Sequence, residues 1–224
     1  MKRTLSAIAA CCLLASVYAD DTKIEVKVEK TAARTCTEGC SQGCPIEAAM
    51  AKLPKMSYVV GKEEVCCPTA AASLAKKDSA AIKYMVAKKT FETKTDAMVA
   101  LADATEKFVA EYVTTKHCSV SNKYTVAGKE VCCSVMAGKR AELAKAAMKK
   151  VQMTYVVGEK TCNCPNEAAA IAKKTGVEKQ FVVAGKKTCC SVDARIKLAQ
   201  AKYKAMVQAL AKADAPAKVE VKKG

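Results

Sequence analysis

Fourteen cysteines and a single histidine, His117, are the residues of this 224-residue chain best able to do chemistry. Cys66-Cys67, Cys132-Cys133 and Cys189-Cys190 are vicinal pairs, and Cys162 and Cys164 flank one asparagine. Cys36, Cys40, Cys44 and Cys118 stand singly. Neighbouring Cα atoms are about 3.8 Å apart across a trans peptide, closer than the ~4.4–6.8 Å of a relaxed disulfide. The two members of a pair therefore reach different partners or act together as thiols. Each pair follows a strand-like run and precedes a helix-like one. A thiol at a helix N-terminus among lysines has its pKa lowered, because the helix dipole and the cations favour the anion. Such a thiolate is both a soft-metal ligand and an exchange nucleophile.

The elements that carry these cysteines repeat. "MSYVVGKEEVCCPT", "KYTVAGKEVCCSV", "MTYVVGEKTCNCPN" and "KQFVVAGKKTCCSV" each join an aromatic, a β-rich run and a turn to cysteines. That pattern predicts a hairpin, since glycine supplies the positive φ of a tight turn. Alanine-rich stretches with helical spacing follow, such as Leu143, Ala147 and Val151, or Leu198, Lys202 and Met206. Proline after Cys67 and Cys164 sits where a first helical turn tolerates it.

Shifting the chain by 97 residues aligns it with itself without a gap. Met56 falls on Met153, Cys67-Pro68 on Cys164-Pro165, Leu101-Ala102 on Leu198-Ala199 and Cys36 on Cys133. The chain thus reads as an α+β protein of six ββα units in two duplicated domains, 20–120 and 121–217, with a tail at 218–224. Units this small bury too little surface alone and must pack together. The third unit carries Phe91-Glu92-Thr93 where others carry cysteines, so packing alone holds it, with Phe91 inward. Tyr58, Tyr84, Tyr124, Tyr155 and Phe181 recur at one position of the unit and read as hairpin-packing residues. Met98, Met136, Met148 and Met206 read as core fillers on helices.

"YTVAGKEVCCSVMAGKRAEL" and "CPIEAAMAKLPKMSYVVGKEEVCCPTAA" resemble the YHS/TRASH type of small metal-associated module of exported bacterial proteins. The resemblance covers most of the chain after residue 19. It implies ligand roles for Cys44 with Cys66 and Cys67, for Cys118 with Cys132 and Cys133, and for Cys164 with Cys189 and Cys190. The family's further cysteine four residues into the helix is missing, with Ala70, Met136 and Asp193 in its place. That departure argues against four-coordinate Zn and for Cu(I) or another soft ion held by three thiolates. One hairpin and one short helix separate Cys164 from Cys189. The helix covers only about 12 Å at 1.5 Å per residue, so the two helix starts are expected to meet.

Lys2 and Arg3 followed by the apolar run Leu5–Val17 and Val17-Tyr18-Ala19 predict a cleaved export signal over residues 1–19. The run is shorter than the ~20 residues that span a bilayer. An uncleaved N-terminal anchor and lipidation of Cys11 are the alternatives. Removing residues 1–19, with two cysteines and two basic residues, leaves twelve cysteines and a net charge of +14. The location is then periplasmic, extracellular or in the cell envelope, where twelve cysteines also permit six disulfides. The lysines are dispersed, and no tryptophan and few aromatics are present to stack on bases. An anionic envelope component fits that surface, and no specific nucleic-acid partner is implied.

No Ser-His-Asp, paired-carboxylate or phosphate-loop arrangement occurs, and no Cys-x-x-Cys supports a dithiol oxidoreductase. His117 beside Cys118 reads as an exposed residue at the junction of the two copies. The sequence points to a non-enzymatic, exported binder of soft metal ions, Cu(I) or Zn. Its alternative is a disulfide-stapled structural or interaction protein of the envelope.

Overall fold

The structure is a computed structural model that describes residues 44–215. The export signal expected over residues 1–19, Cys11, Cys36, Cys40 and the 218–224 tail lie outside the described residues. The described residues fall within one compact unit of mixed α+β architecture, with six helices and three small antiparallel sheets among them. None of these helices is long and apolar enough to cross a membrane.

After the short helix α1 (Pro45–Met50), hairpin β1 (Met56–Val60) and β2 (Glu63–Val65) leads into α2 (Pro68–Asp78). Hairpin β3 (Ile82–Val86) and β4 (Lys89–Phe91) leads into α3 (Lys94–Tyr112). A three-stranded sheet of β5 (Lys116–Cys118), β6 (Lys123–Val126) and β7 (Lys129–Val131) precedes α4 (Ser134–Lys149). Hairpin β8 (Met153–Val157) and β9 (Lys160–Cys162) then leads into α5 (Pro165–Thr175). Hairpin β10 (Lys179–Val183) and β11 (Lys186–Thr188) leads into α6 (Ser191–Asp214). The elements β1, α2, β3, β4 and α3 each begin 97 residues before β8, α5, β10, β11 and α6.

The hairpins are not separate sheets. Two hairpins merge through their inner strands into sheets of order β2-β1-β3-β4 and β11-β10-β8-β9. The inner strands run antiparallel, with Tyr58 opposite Tyr84 and Tyr155 opposite Phe181 at the middle of each register. Both pairs meet edge to face, with ring centroids 5.8 and 5.7 Å apart, a geometry that contributes beyond area burial. In the third sheet His117 takes the place of the second aromatic, 4.6 Å from Tyr124, and bonds Asn122 Oδ1 at 3.1 Å.

The hairpin turns come in two chemistries. Gly61 and Gly158 provide a positive φ at the first turn position. Ala127-Gly128, Ala184-Gly185 and Ala87-Lys88 have positive φ at both positions, as a type I′ turn requires. Lys88 alone occupies a second position that its counterparts fill with glycine.

One core draws on both sequence copies. Val109 of α3, Ala137, Ala141 and Ala144 of α4, and Ala199, Tyr203, Met206 and Leu210 of α6 share it with Val113 and Val126. The small alanines of α4 let that helix approach α6 closely. Leu143, Ala147 and Val151, whose spacing marks the helical stretch, line an open groove beside α6. Met206 is fully buried and Met148 partly so, but Met136 is 52 % exposed in the first turn of α4. Phe108, Tyr112 and Tyr203 stack around one another with centroids 5.1–6.0 Å apart. A second core gathers Tyr155, Val157, Cys162, Ala168, Phe181 and Ala194. Helix α6, about 36 Å long at 1.5 Å per residue, contributes to both cores. Phe91 is half-buried opposite Tyr84.

Charged side chains tie α6 to its neighbours. Arg195 bonds Asp103 and Glu106 of α3, while Asp214 receives Arg140 at 2.9 and 3.0 Å and Lys129 at 2.7 Å. Partial burial would raise the Asp214 carboxyl, but Lys129 and Arg140 outweigh it and hold the pKa below the usual value.

The turn chemistry is directly testable. A non-glycine residue at positive φ costs about 1 kcal/mol, so Lys88→Gly should raise the denaturation midpoint. An unchanged or lower midpoint means that the turn carries no such strain.

Candidate functional site

The cysteines sit at the starts of helices. Cys44, Cys67, Cys133, Cys164 and Cys190 are the N-cap residues of α1, α2, α4, α5 and α6. In each case the cap carbonyl accepts the first helical hydrogen bond, at 3.0–3.1 Å, while the thiol makes no capping bond. The remaining described helix, α3, is capped by Thr93, whose Oγ1 accepts from Asp96 N at 3.1 Å and donates to Asp96 Oδ2 at 2.7 Å. Where cysteine is replaced, the fold thus uses an ordinary cap.

What fixes these caps is packing. The residue four positions after the cap is a fully buried alanine at four of the cysteine caps (Ala71, Ala137, Ala168 and Ala194) and again as Ala97 after Thr93, while Ala48 after Cys44 is exposed. The first turn is thus seated against the core at a buried alanine, whichever side chain stands at the cap. This Cys-x-x-x-Ala spacing is legible in the sequence, yet only the structure reveals its meaning.

Seven of the ten described cysteines are exposed: Cys66, Cys67, Cys118, Cys132, Cys164, Cys189 and Cys190. Cys44 and Cys133 are half-buried, and none of the ten is in a disulfide. Cys162 is buried, its sulfur 3.9 Å from the Tyr155 carbonyl oxygen. It lies 97 residues after Val65 and holds the same register position, opposite Tyr155 as Val65 is opposite Tyr58. It is a core residue. Burial, then the nearby Glu167 and Cys164, pushes its thiol pKa up.

Two exposed thiols are biased the other way. The Thr69 hydroxyl, 3.0 Å from the Cys67 sulfur, lowers the Cys67 pKa, as do the amides of Ala70 and Thr69 at the helix start. Those amides stabilise an anion without closing a geometric capping bond. At Cys118 the Ser121 hydroxyl does most, followed by the amides of Ser121 and Val120.

The register separates the cysteines that the family resemblance would group. By continuation of the pairing, Cys164 lies level with Met153 at one end of β8, and Cys190 level with Val157 at the other. They stand three strand spacings, about 14 Å, apart across the sheet and about 13 Å apart along it. The expected meeting of these helix starts is thus not what the fold builds. The antiparallel join of the two hairpins sends their cysteines to opposite corners. Cys118 and Cys132 flank Lys123 from the two edges of the third sheet, two strand spacings or about 10 Å apart. That exceeds the Cα separation of a disulfide. Among the described residues no three His, Cys, Asp or Glu side chains are placed to hold a metal ion.

Comparison with known proteins finds no matching family model, no matching curated protein and no matching solved structure.

The thiol environments make a pH-dependent labelling pattern. Cys67 should alkylate readily at neutral pH, and Thr69→Val, which removes the hydroxyl, should shift its labelling profile to higher pH. Cys162 should label last, and Cys162→Val should leave stability within about 0.5 kcal/mol. Peptide mass mapping reads both. Early labelling of Cys162, or a Cys67 profile indifferent to Thr69→Val, contradicts these assignments.

Proposed function

We propose that the chain is an exported, non-enzymatic binder of soft metal ions. The binding units are the surface cysteine pairs Cys66-Cys67, Cys132-Cys133 and Cys189-Cys190, with Cys44, Cys118 and Cys164 as further single thiols. The finer architecture that goes with this reading is six ββα units in two copies, each except the third presenting its thiols at the start of its helix. One observation carries the reading. Cysteine stands at five helix caps where it makes no capping bond, and the sixth position uses threonine, which does. A chain requiring only stable helices would use threonine throughout, so thiol chemistry is the better reason for cysteine.

Dispersal over separate corners favours ions content with few ligands. Thiolates select Cu(I) among common soft ions, whereas structural Zn takes four ligands around one centre. The lysine-rich surface suits an anionic envelope partner.

The same dispersal favours one rival. Thiols at opposite corners are poorly placed to bond within the chain but open to another copy, so oxidation would cross-link chains. Two thiols would then lose two protons and two electrons to an oxidant of the compartment. This is the interaction-protein reading in the form that fits the fold.

The test is a Cu(I) titration of the reduced chain against a chromogenic chelator, beside the mass of protein purified without reductant. Competition should be seen, with one equivalent lost for each pair replaced by Ser-Ser. No competition, with disulfide-linked multimers that dissociate on reduction, favours the rival.

A further inference from the structure

Three helices enclose a groove that the thiol chemistry does not use. Helix α6 provides its floor with Leu198 and Ala199, α3 one wall with Val109 and Ala110, and α4 the other with Met148. Both α3 and α4 pack on α6, and the alanines leave open a space that longer side chains would fill. The cavity measures ≈ 410 Å³, inside the ~300–1,000 Å³ range of small-molecule sites. Its lining is mostly apolar, as an alkyl chain requires.

Charge is distributed unevenly around it. Arg195 lines the groove but is already held by Asp103 at 2.7 Å and by Glu106 at 2.7 and 3.0 Å. Lys145, Lys149 and Lys202 also line it and have no ion pair among the described residues. A second cavity of ≈ 370 Å³ shares Met148, Lys149, Leu198 and Lys202 with the first and adds Gln152, Tyr155 and Asn163. An apolar cavity therefore adjoins a more polar one, with Lys149 and Lys202 lining both.

We propose that this groove binds a single-chain anionic amphiphile. Its alkyl chain lies over Leu198 and Ala199, and its anionic head rests at Lys149 and Lys202. Ammonium groups make charge-assisted hydrogen bonds to a carboxylate, sulfate or phosphate head alike. A cationic head would meet three lysines, while the one carboxylate that lines the groove, Glu106, is already bonded to Arg195. The mixed character of the lining, apolar within and basic where the chambers join, matches a molecule with one end of each kind.

The test is isothermal titration of the full chain with dodecanoate below its micellar concentration, beside dodecyltrimethylammonium and acetate. Saturable one-site binding of dodecanoate is expected, with both comparison compounds at least about tenfold weaker. The double variant Lys149→Gln, Lys202→Gln should lose about tenfold in affinity, while circular dichroism shows it folded. Ala110→Leu should fill the groove and weaken binding of the chain. If that variant does not fold, the lysine pair still decides. Equal binding of the cationic amphiphile, an unchanged lysine double variant, or binding only above the micellar concentration overturns the proposal. So does a dimer in sedimentation that binds no dodecanoate, which would assign the groove to a second copy of the chain.

Discussion

In both four-stranded sheets the inner strands of two hairpins run antiparallel and meet at an aromatic pair, Tyr58 with Tyr84 and Tyr155 with Phe181. The helix that follows each hairpin of these two sheets leaves from a place set by this join. Each hairpin is too small to bury its own face, and pairing through the inner strands doubles the sheet. The antiparallel sense also turns the two following helices away from each other, so their first residues emerge at opposite corners. The separation of Cys164 from Cys189 and Cys190 is a consequence of that pairing.

Packing of the helices then decides what the cysteines are free to do. A buried alanine one turn in, as at Ala71, Ala137, Ala168 and Ala194, seats each helix without help from the cap side chain. Thr93 caps α3 in the ordinary way, so the fold accommodates either residue. The thiols are consequently solvent-facing groups on a rigid frame, polarised by a helix start at Cys67 and by a tight turn at Cys118. The single buried exception, Cys162, stands where the other copy has valine.

Much of this fold was legible in the sequence. The 97-residue shift appears in the element boundaries, and the Gly-Lys and Gly-Glu turns and the helix starts after cysteine appear as read. Each is a local signal, set by turn chemistry, proline position or alternation. The joining of hairpins was not legible, because strand order depends on contacts between residues such as Met56 and Val86 that no local pattern encodes. The expected meeting of the helix starts at Cys164 and Cys189 rested on chain path alone, and strand order separates them for the same reason. The spacing of Leu143 and Ala147 gave the helix but not its buried face, since α4 buries Ala137, Ala141 and Ala144 and leaves Leu143 on an open groove.

The central claim is that cysteine occupies the helix caps for its thiol and not for stability. Its most direct test is the denaturation free energy, under reducing conditions, of the chain carrying Cys67→Thr, Cys133→Thr, Cys164→Thr and Cys190→Thr together. Threonine caps a helix as Thr93 does, and a favourable cap contributes about 1 kcal/mol. The account predicts that the fourfold variant is at least as stable as the native chain. A loss of several kcal/mol would show that these cysteines hold the fold together, and would contradict it.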